Sequence, residues 1–160
     1  MRAIFLVGLL TAAAAAAAGT TTSGEDRAIF RSAGLTYNKG SWRSDCGDPG
    51  TPSYRGGAIE RIGDINGDGL ADVLVTEESS YCYGQTGTAF WLLAGQAGGK
   101  WKLMHKSVGI AVTLKTRGIG RWPDLAIGGP GFCFAVLRWN GQAYAHNRYE
   151  YEGKRCRQSL

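Results

Sequence analysis

The chain has 160 residues, with 18 Lys and Arg against 13 Asp and Glu and a net charge of +5. So mild an excess, gathered only at Lys115-Thr116-Arg117 and Lys154-Arg155-Cys156-Arg157, describes a solvated surface and argues against a nucleic-acid partner. Roughly 140 residues beyond the N-terminal segment suffice for one domain with a core of its own.

Met1-Arg2-Ala3 gives a short positive start, residues 4–10 are apolar, and 11–18 are mostly alanine. This is the grammar of a signal peptide spanning residues 1–18, with cleavage near Ala16-Ala17-Ala18. An uncleaved membrane anchor is the rival reading, but the apolar stretch falls short of the ~20 residues that a hydrocarbon core requires. The mature chain then carries a charge of about +4 and no transmembrane segment. Its first cysteine, Cys46, lies far from the cleavage point, so lipid attachment there is not expected. Residues 19–27 are small and polar and read as a flexible leader. Residues 28–35 fit either a strand or one short helical turn. Residues 36–57 are rich in Gly, Pro, Ser and Asp, with a turn at Asp48-Pro49-Gly50, and read mainly as loop.

From Gly57 onward, short apolar runs alternate with turns, the pattern of an all-β fold. The expected strands are 58–62, 73–76, 89–94, 100–105, 125–127, 132–139 and 143–151. Asn140-Gly141 accommodates the positive φ angles of a type I′ turn and marks a hairpin. A repeat of about 50 residues is visible. Asp72-Val73-Leu74-Val75, Cys82 and the run Trp91-Leu92-Leu93 are echoed by Asp124-Leu125-Ala126-Ile127, Cys133 and Val136-Leu137-Arg138. Two four-stranded antiparallel units, at about 58–106 and 112–152, follow from this. A propeller needs ~4 to 8 such blades, so two are expected to pack on each other within one compact domain, 28–160.

Four cysteines in an exported chain point to two disulfides. Three connectivities are open. Cys46–Cys82 with Cys133–Cys156 is preferred because each bridge closes a loop within one half of the chain.

The segment Asp64-Ile65-Asn66-Gly67-Asp68-Gly69-Leu70-Ala71-Asp72 sets side-chain oxygens at positions 1, 3, 5 and 9 and a backbone carbonyl, that of Leu70, at position 7. A hard cation such as Ca²⁺ takes ~6 to 8 oxygens, and alternate residues of a tightly wound loop can converge to supply them. Three neighbouring carboxylates repel one another, a cost that a divalent cation removes. The plain alternative is a good turn without metal. Position 12 is Val75, where an EF-hand has a bidentate Glu, and the chain continues as a strand.

Gly63 through Val75 thus resembles the FG-GAP (VCBS-type) repeat, a unit of integrin-like β-propellers that holds Ca²⁺ in a hairpin loop. Residues 122–131 resemble the tail of the same motif without its liganding loop, so the resemblance implies a single metal site. It also implies a binding or structural role.

Glu77 and Glu78 are candidates for an acid and base pair in a polymer hydrolase, but adjacent strand residues face opposite ways, and surface carboxylates are the simpler reading. His105 and His146 lack a nucleophile motif nearby and are expected to be solvated or hydrogen-bonded. Tyr81, Tyr83, Tyr149 and Tyr151 are candidate partner contacts, and the loops 45–55 and 79–87 are candidate contact regions. The expectation is therefore an exported, periplasmic or secreted, calcium-stabilised, noncatalytic β module binding a protein or carbohydrate. A hydrolase using Glu77 or Glu78 and a small periplasmic inhibitor or stability factor are the alternatives.

Overall fold

The computed structural model describes residues 23–157; the expected signal peptide and residues 19–22 lie outside this range. The chain enters through α1 (Gly24–Ser32). A capping box starts it: Ser23 Oγ accepts from Asp26 N at 3.0 Å and Asp26 Oδ2 accepts from Ser23 N at 3.3 Å. Two unpaired helix-end donors are satisfied in this way, and Glu25 and Asp26 in the first turn with Arg31 in the last suit the helix dipole. Residues 24–27 are thus the first turn of a helix, where a flexible leader was expected. The period-3.6 spacing of Ile29 and Ala33, both buried, accounts for helix over 28–32.

A small hairpin follows, β1 (Thr36–Asn38) and β2 (Ser41–Arg43), turning at Lys39 and Gly40 with φ of 49° and 81°. Its Trp42 stacks on Phe30 of α1 at 4.9 Å. The first unit is an antiparallel meander of β3 (Arg55–Gly63), β4 (Asp72–Glu78), β5 (Thr88–Gln96) and β6 (Lys100–Val108). Between β4 and β5 lies the one-turn α2 (Ser80–Tyr83). The second unit repeats the order with β7 (Ile110–Arg117), β8 (Pro123–Gly128), β9 (Phe134–Trp139) and β10 (Tyr144–Tyr151), and adds β11 (Lys154–Arg155) at its edge. The fold is all-β in two blade-like units, with the short helices as additions. All seven expected strands are present, and β7 completes the second unit.

Alternation along β4 and β5 explains how the layers stack. Val73, Val75, Ala89, Trp91 and Leu93 face Ile29, Phe30, Ala33, Leu35 and Trp42 of the helix and hairpin layer. Leu74, Phe90, Leu92 and Ala94 face the second unit's Trp122, Leu125, Trp139 and Tyr144. The first sheet is therefore buried on both faces, which is why 89–94 reads as an unbroken apolar run. Each such side chain stabilises by ~1.5–3 kcal/mol against ~0.5–1.5 kcal/mol for a hydrogen bond, so packing between layers dominates. Cys46 bonds to Cys82 and Cys133 to Cys156, the preferred connectivity. No helix among the described residues is long and apolar enough to cross a membrane.

Candidate metal site

The loop 64–72 joins β3 to β4 and is wound by its own acidic groups. Asp64 Oδ1 accepts from the amides of Gly67 at 2.7 Å and Asp68 at 3.1 Å, and Oδ2 from Gly69 at 2.8 Å. These bonds, that of Gly69 foremost, hold its carboxyl below the usual range. Asn66 Oδ1 accepts from Asp68 N at 3.1 Å while its amide donates to Asp68 Oδ2 at 2.9 Å, and Asp68 Oδ1 accepts from Leu70 N at 2.8 Å. Gly67 and Gly69 have φ of 77° and 89°, the left-handed region that a side chain at these bends would strain.

Asp72 sits beneath the loop at the start of β4, fully buried. Oδ2 accepts from Ile65 N at 3.0 Å and Oδ1 from Gly95 N at 3.2 Å. Burial, with the charges of Asp68 and Asp64, pushes its carboxyl up to about 6 against the pull of those two amides. Among the described residues no Lys or Arg forms an ion pair with it. Backbone amides take up the Asp64 and Asp72 oxygens, and Asn66 and Asp68 bond to each other; among the described residues no three His, Cys, Asp or Glu groups are gathered as a metal cluster. The donor chemistry nevertheless suits a hard cation, being three carboxylates, an amide and the Leu70 carbonyl.

The repeat provides an internal comparison. Asp124 holds the position in β8 that Asp72 holds in β4 and is equally buried, yet it is surrounded by cations. Arg138 Nε donates to Oδ1 at 2.9 Å and Arg138 Nη2 to Oδ2 at 2.8 Å, while Arg148 Nη1 and Thr116 Oγ1 each donate to Oδ2 at 2.6 Å. Burial alone would raise this carboxyl, but the bonds from Arg138, Thr116 and Arg148 hold it far below the usual range. The second unit also reaches over the loop of the first: Arg117 Nη1 donates to Ile65 O at 2.7 Å.

Glu77 is the residue whose setting departs most from expectation. It is 1% exposed, whereas Glu78 on the opposite face is exposed. Its Oε1 accepts from Ser44 N at 3.0 Å and Tyr54 Oη at 2.8 Å, and Oε2 from Ser44 Oγ and Tyr83 Oη. Burial and the bond to Glu77 push Tyr54 up to about 12, and burial raises Tyr83 as well. Beside it, the buried Asp48 accepts from Ser79 Oγ, from Gly50 N at 2.7 Å and from Thr51 N at 2.8 Å. Burial would raise Asp48, but these bonds, led by that from Ser79, keep it low. The two carboxylates and the Cys46–Cys82 bridge bind loop 45–55 to loop 79–87. Glu77 is thus an enclosed acceptor, not a surface carboxylate.

Of the four tyrosines, Tyr81 is 66% and Tyr151 43% exposed. Tyr83 is half-buried and spends its hydroxyl on Glu77, and Tyr149 lies against His146 at 4.5 Å. His105 is wedged between Phe90 and Tyr144, and burial lowers its pKa. Comparison of the chain with protein-family models, curated proteins and solved structures gives no match.

Proposed function

We propose that the protein is an exported, noncatalytic β module of FG-GAP (VCBS) type, stabilised by one Ca²⁺ in loop 64–72 and displaying its loops to a protein or carbohydrate partner. The observation that carries this is the contrast between the two repeat aspartates. A buried carboxylate is costly unless it is compensated by charge or by a full set of hydrogen bonds, as Glu77 and Asp48 are. Asp124 has two guanidinium groups as direct partners and Asp72 has only two backbone amides, which leave its carboxyl raised, so a cation bound in the first loop would offset its charge. Asp64, Asn66, Asp68 and the Leu70 carbonyl are the remaining donors, and the ion's chemistry is purely electrostatic and structural. Two disulfides support export, since oxidising compartments preserve them. The exposed Tyr81, beside the stapled loops, is the leading contact residue.

The test is the melting temperature of the oxidised protein in calcium and in EDTA, for the wild type and for Asp64→Ala. Binding to the folded state alone raises stability by about 2.7 kcal/mol at a hundredfold excess over Kd. A rise in the wild type that is lost in the variant is expected; identical melts with and without calcium would sink the proposal. Pull-down from a periplasmic extract with Tyr81→Ala as control tests the partner surface.

A further inference from the structure

We propose that the cleft between the end of β10 and the C-terminal tail is an oxyanion-binding site, for a sulfate or phosphate group, formed by Arg155, Arg157 and Asn147. The cleft encloses about 570 Å³ and is lined by Asn147, Arg148, Tyr149, Arg155, Cys156 and Arg157, with no carboxylate among them. Its floor is rigid. Arg148, 8% exposed, is held by Asp124 at 2.6 Å, Glu150 at 2.5 Å and Thr116 at 3.1 Å. Its charge is therefore already met, and so are those of Asp124 and Glu150.

The wall is equally fixed. Glu150 pairs with Arg155 and Tyr151 with Lys154 across β10 and β11, Cys156 N donates to Tyr149 O at 3.1 Å, and Cys156 is bridged to Cys133. Arg155 closes β11, and Arg155, Cys156 and Arg157 all line the cleft. Glu150, across from Arg155, is engaged by Arg148. Among the described residues neither Arg155 nor Arg157 forms an ion pair. Asn147 Oδ1 accepts from Arg148 at 2.8 Å, which turns its NH₂ away from Arg148 as a further donor. The cleft thus offers donors and uncompensated positive charge on a backbone ordered in advance. Guanidinium forks bind the oxygens of sulfate and phosphate in pairs, and the backbone that carries them is fixed before binding. The site is separate from loop 64–72 and does not depend on a metal there.

The full oxidised chain, ¹⁵N-labelled, is titrated with sodium sulfate at constant ionic strength while the arginine Nε–Hε and Asn147 side-chain signals are followed. Saturable shifts at Arg155, Arg157 and Asn147 are expected, with affinity falling about tenfold in Arg155→Gln/Arg157→Gln, an effect of roughly 1.4 kcal/mol. Lys115→Gln serves as the control and should bind as the wild type does. Inorganic phosphate must displace sulfate from the same signals. Competition by a sulfated polysaccharide or by phosphatidylglycerol vesicles at lower concentration than phosphate identifies which source presents the group. Unsaturable shifts spread over every basic residue, or unchanged affinity in a double variant with an unchanged melt, would overturn the proposal.

Discussion

Replacing Glu77 by alanine removes the one acceptor shared by Ser44 N, Ser44 Oγ, Tyr54 Oη and Tyr83 Oη. The hydroxyls can turn toward one another, since Ser44 Oγ and Tyr83 Oη already stand 3.2 Å apart, but the Ser44 amide has no such freedom. A stranded buried donor costs about 1–3 kcal/mol, and each lost bond to a charged acceptor about 1.5–3 kcal/mol. The relief of no longer burying a carboxylate offsets part of this. A net loss of about 3–5 kcal/mol follows, a large share of the ~5–15 kcal/mol typical of a domain. Glu77→Gln keeps the shape and one acceptor oxygen, and its NH₂ can donate to the two hydroxyls on the Oε2 side, so a loss of about 1–2 kcal/mol is expected. Urea denaturation with both disulfides intact measures the difference. If Glu77→Ala falls within about 0.5 kcal/mol of the wild type, as surface substitutions do, the view of Glu77 as the tie between loops 45–55 and 79–87 is wrong.

Three further outcomes follow from the same geometry. The carboxyl of Asp124 is depressed in the folded protein, so its contribution is present above the unfolded value near 3.8 and is lost as pH falls through the folded value; acid titration of Asp124→Asn should show a shallower loss of stability below pH ~4 than the wild type. Opening the Cys46–Cys82 bridge by Cys46→Ser/Cys82→Ser frees a loop with a sequence separation of 36 and should cost about 4 kcal/mol in an equilibrium unfolding experiment. A Cβ at Gly95 would lie 2.3 Å from Ala71 O, so Gly95→Ala must push β5 from the end of loop 64–72 and weaken its bond to Asp72; a drop in melting temperature matching that of a core substitution, rather than a surface one, is the result to look for.

Much of this fold was legible because its strands sit at the two extremes of the pattern. The run 89–94 is apolar throughout because both faces are covered, and Asn140-Gly141 announces its turn by backbone chemistry. The strand β7 was harder to read: as an edge strand it leaves Ile110 and Val112 about half exposed, so its sequence carries no clean alternation of buried and solvated faces. The helix α1 was masked by the polar Gly24-Glu25-Asp26-Arg27, whose meaning comes from the capping box with Ser23 and not from hydrophobicity. For the candidate site, spacing identified the loop and its ligand types, but not the burial of Asp72, which depends on Gly95 lying 23 residues away. Nor could it find the Glu77 cluster, whose partners are gathered from 33, 23 and 6 residues away by tertiary packing; the one local sign was a Glu continuing a strand already buried on both sides.

Each disulfide is confined to one half of the molecule: Cys46–Cys82 fastens the loops around β3 to β5, and Cys133–Cys156 fastens β11 and the turn before β9. Among the described residues, the two halves are joined covalently by the main chain at Gly109, between Val108 and Ile110, and by no disulfide. A nick there would leave two fragments, each sewn shut on itself and held together without a covalent bond, by the apolar seam of Leu74, Phe90, Leu92 and Ala94 against Trp122, Leu125, Trp139 and Tyr144, by His105 on Tyr144 and by the reach of Arg117. Such halves are natural candidates for reassembly in trans, and the strength of that seam could be weighed directly as a dissociation constant.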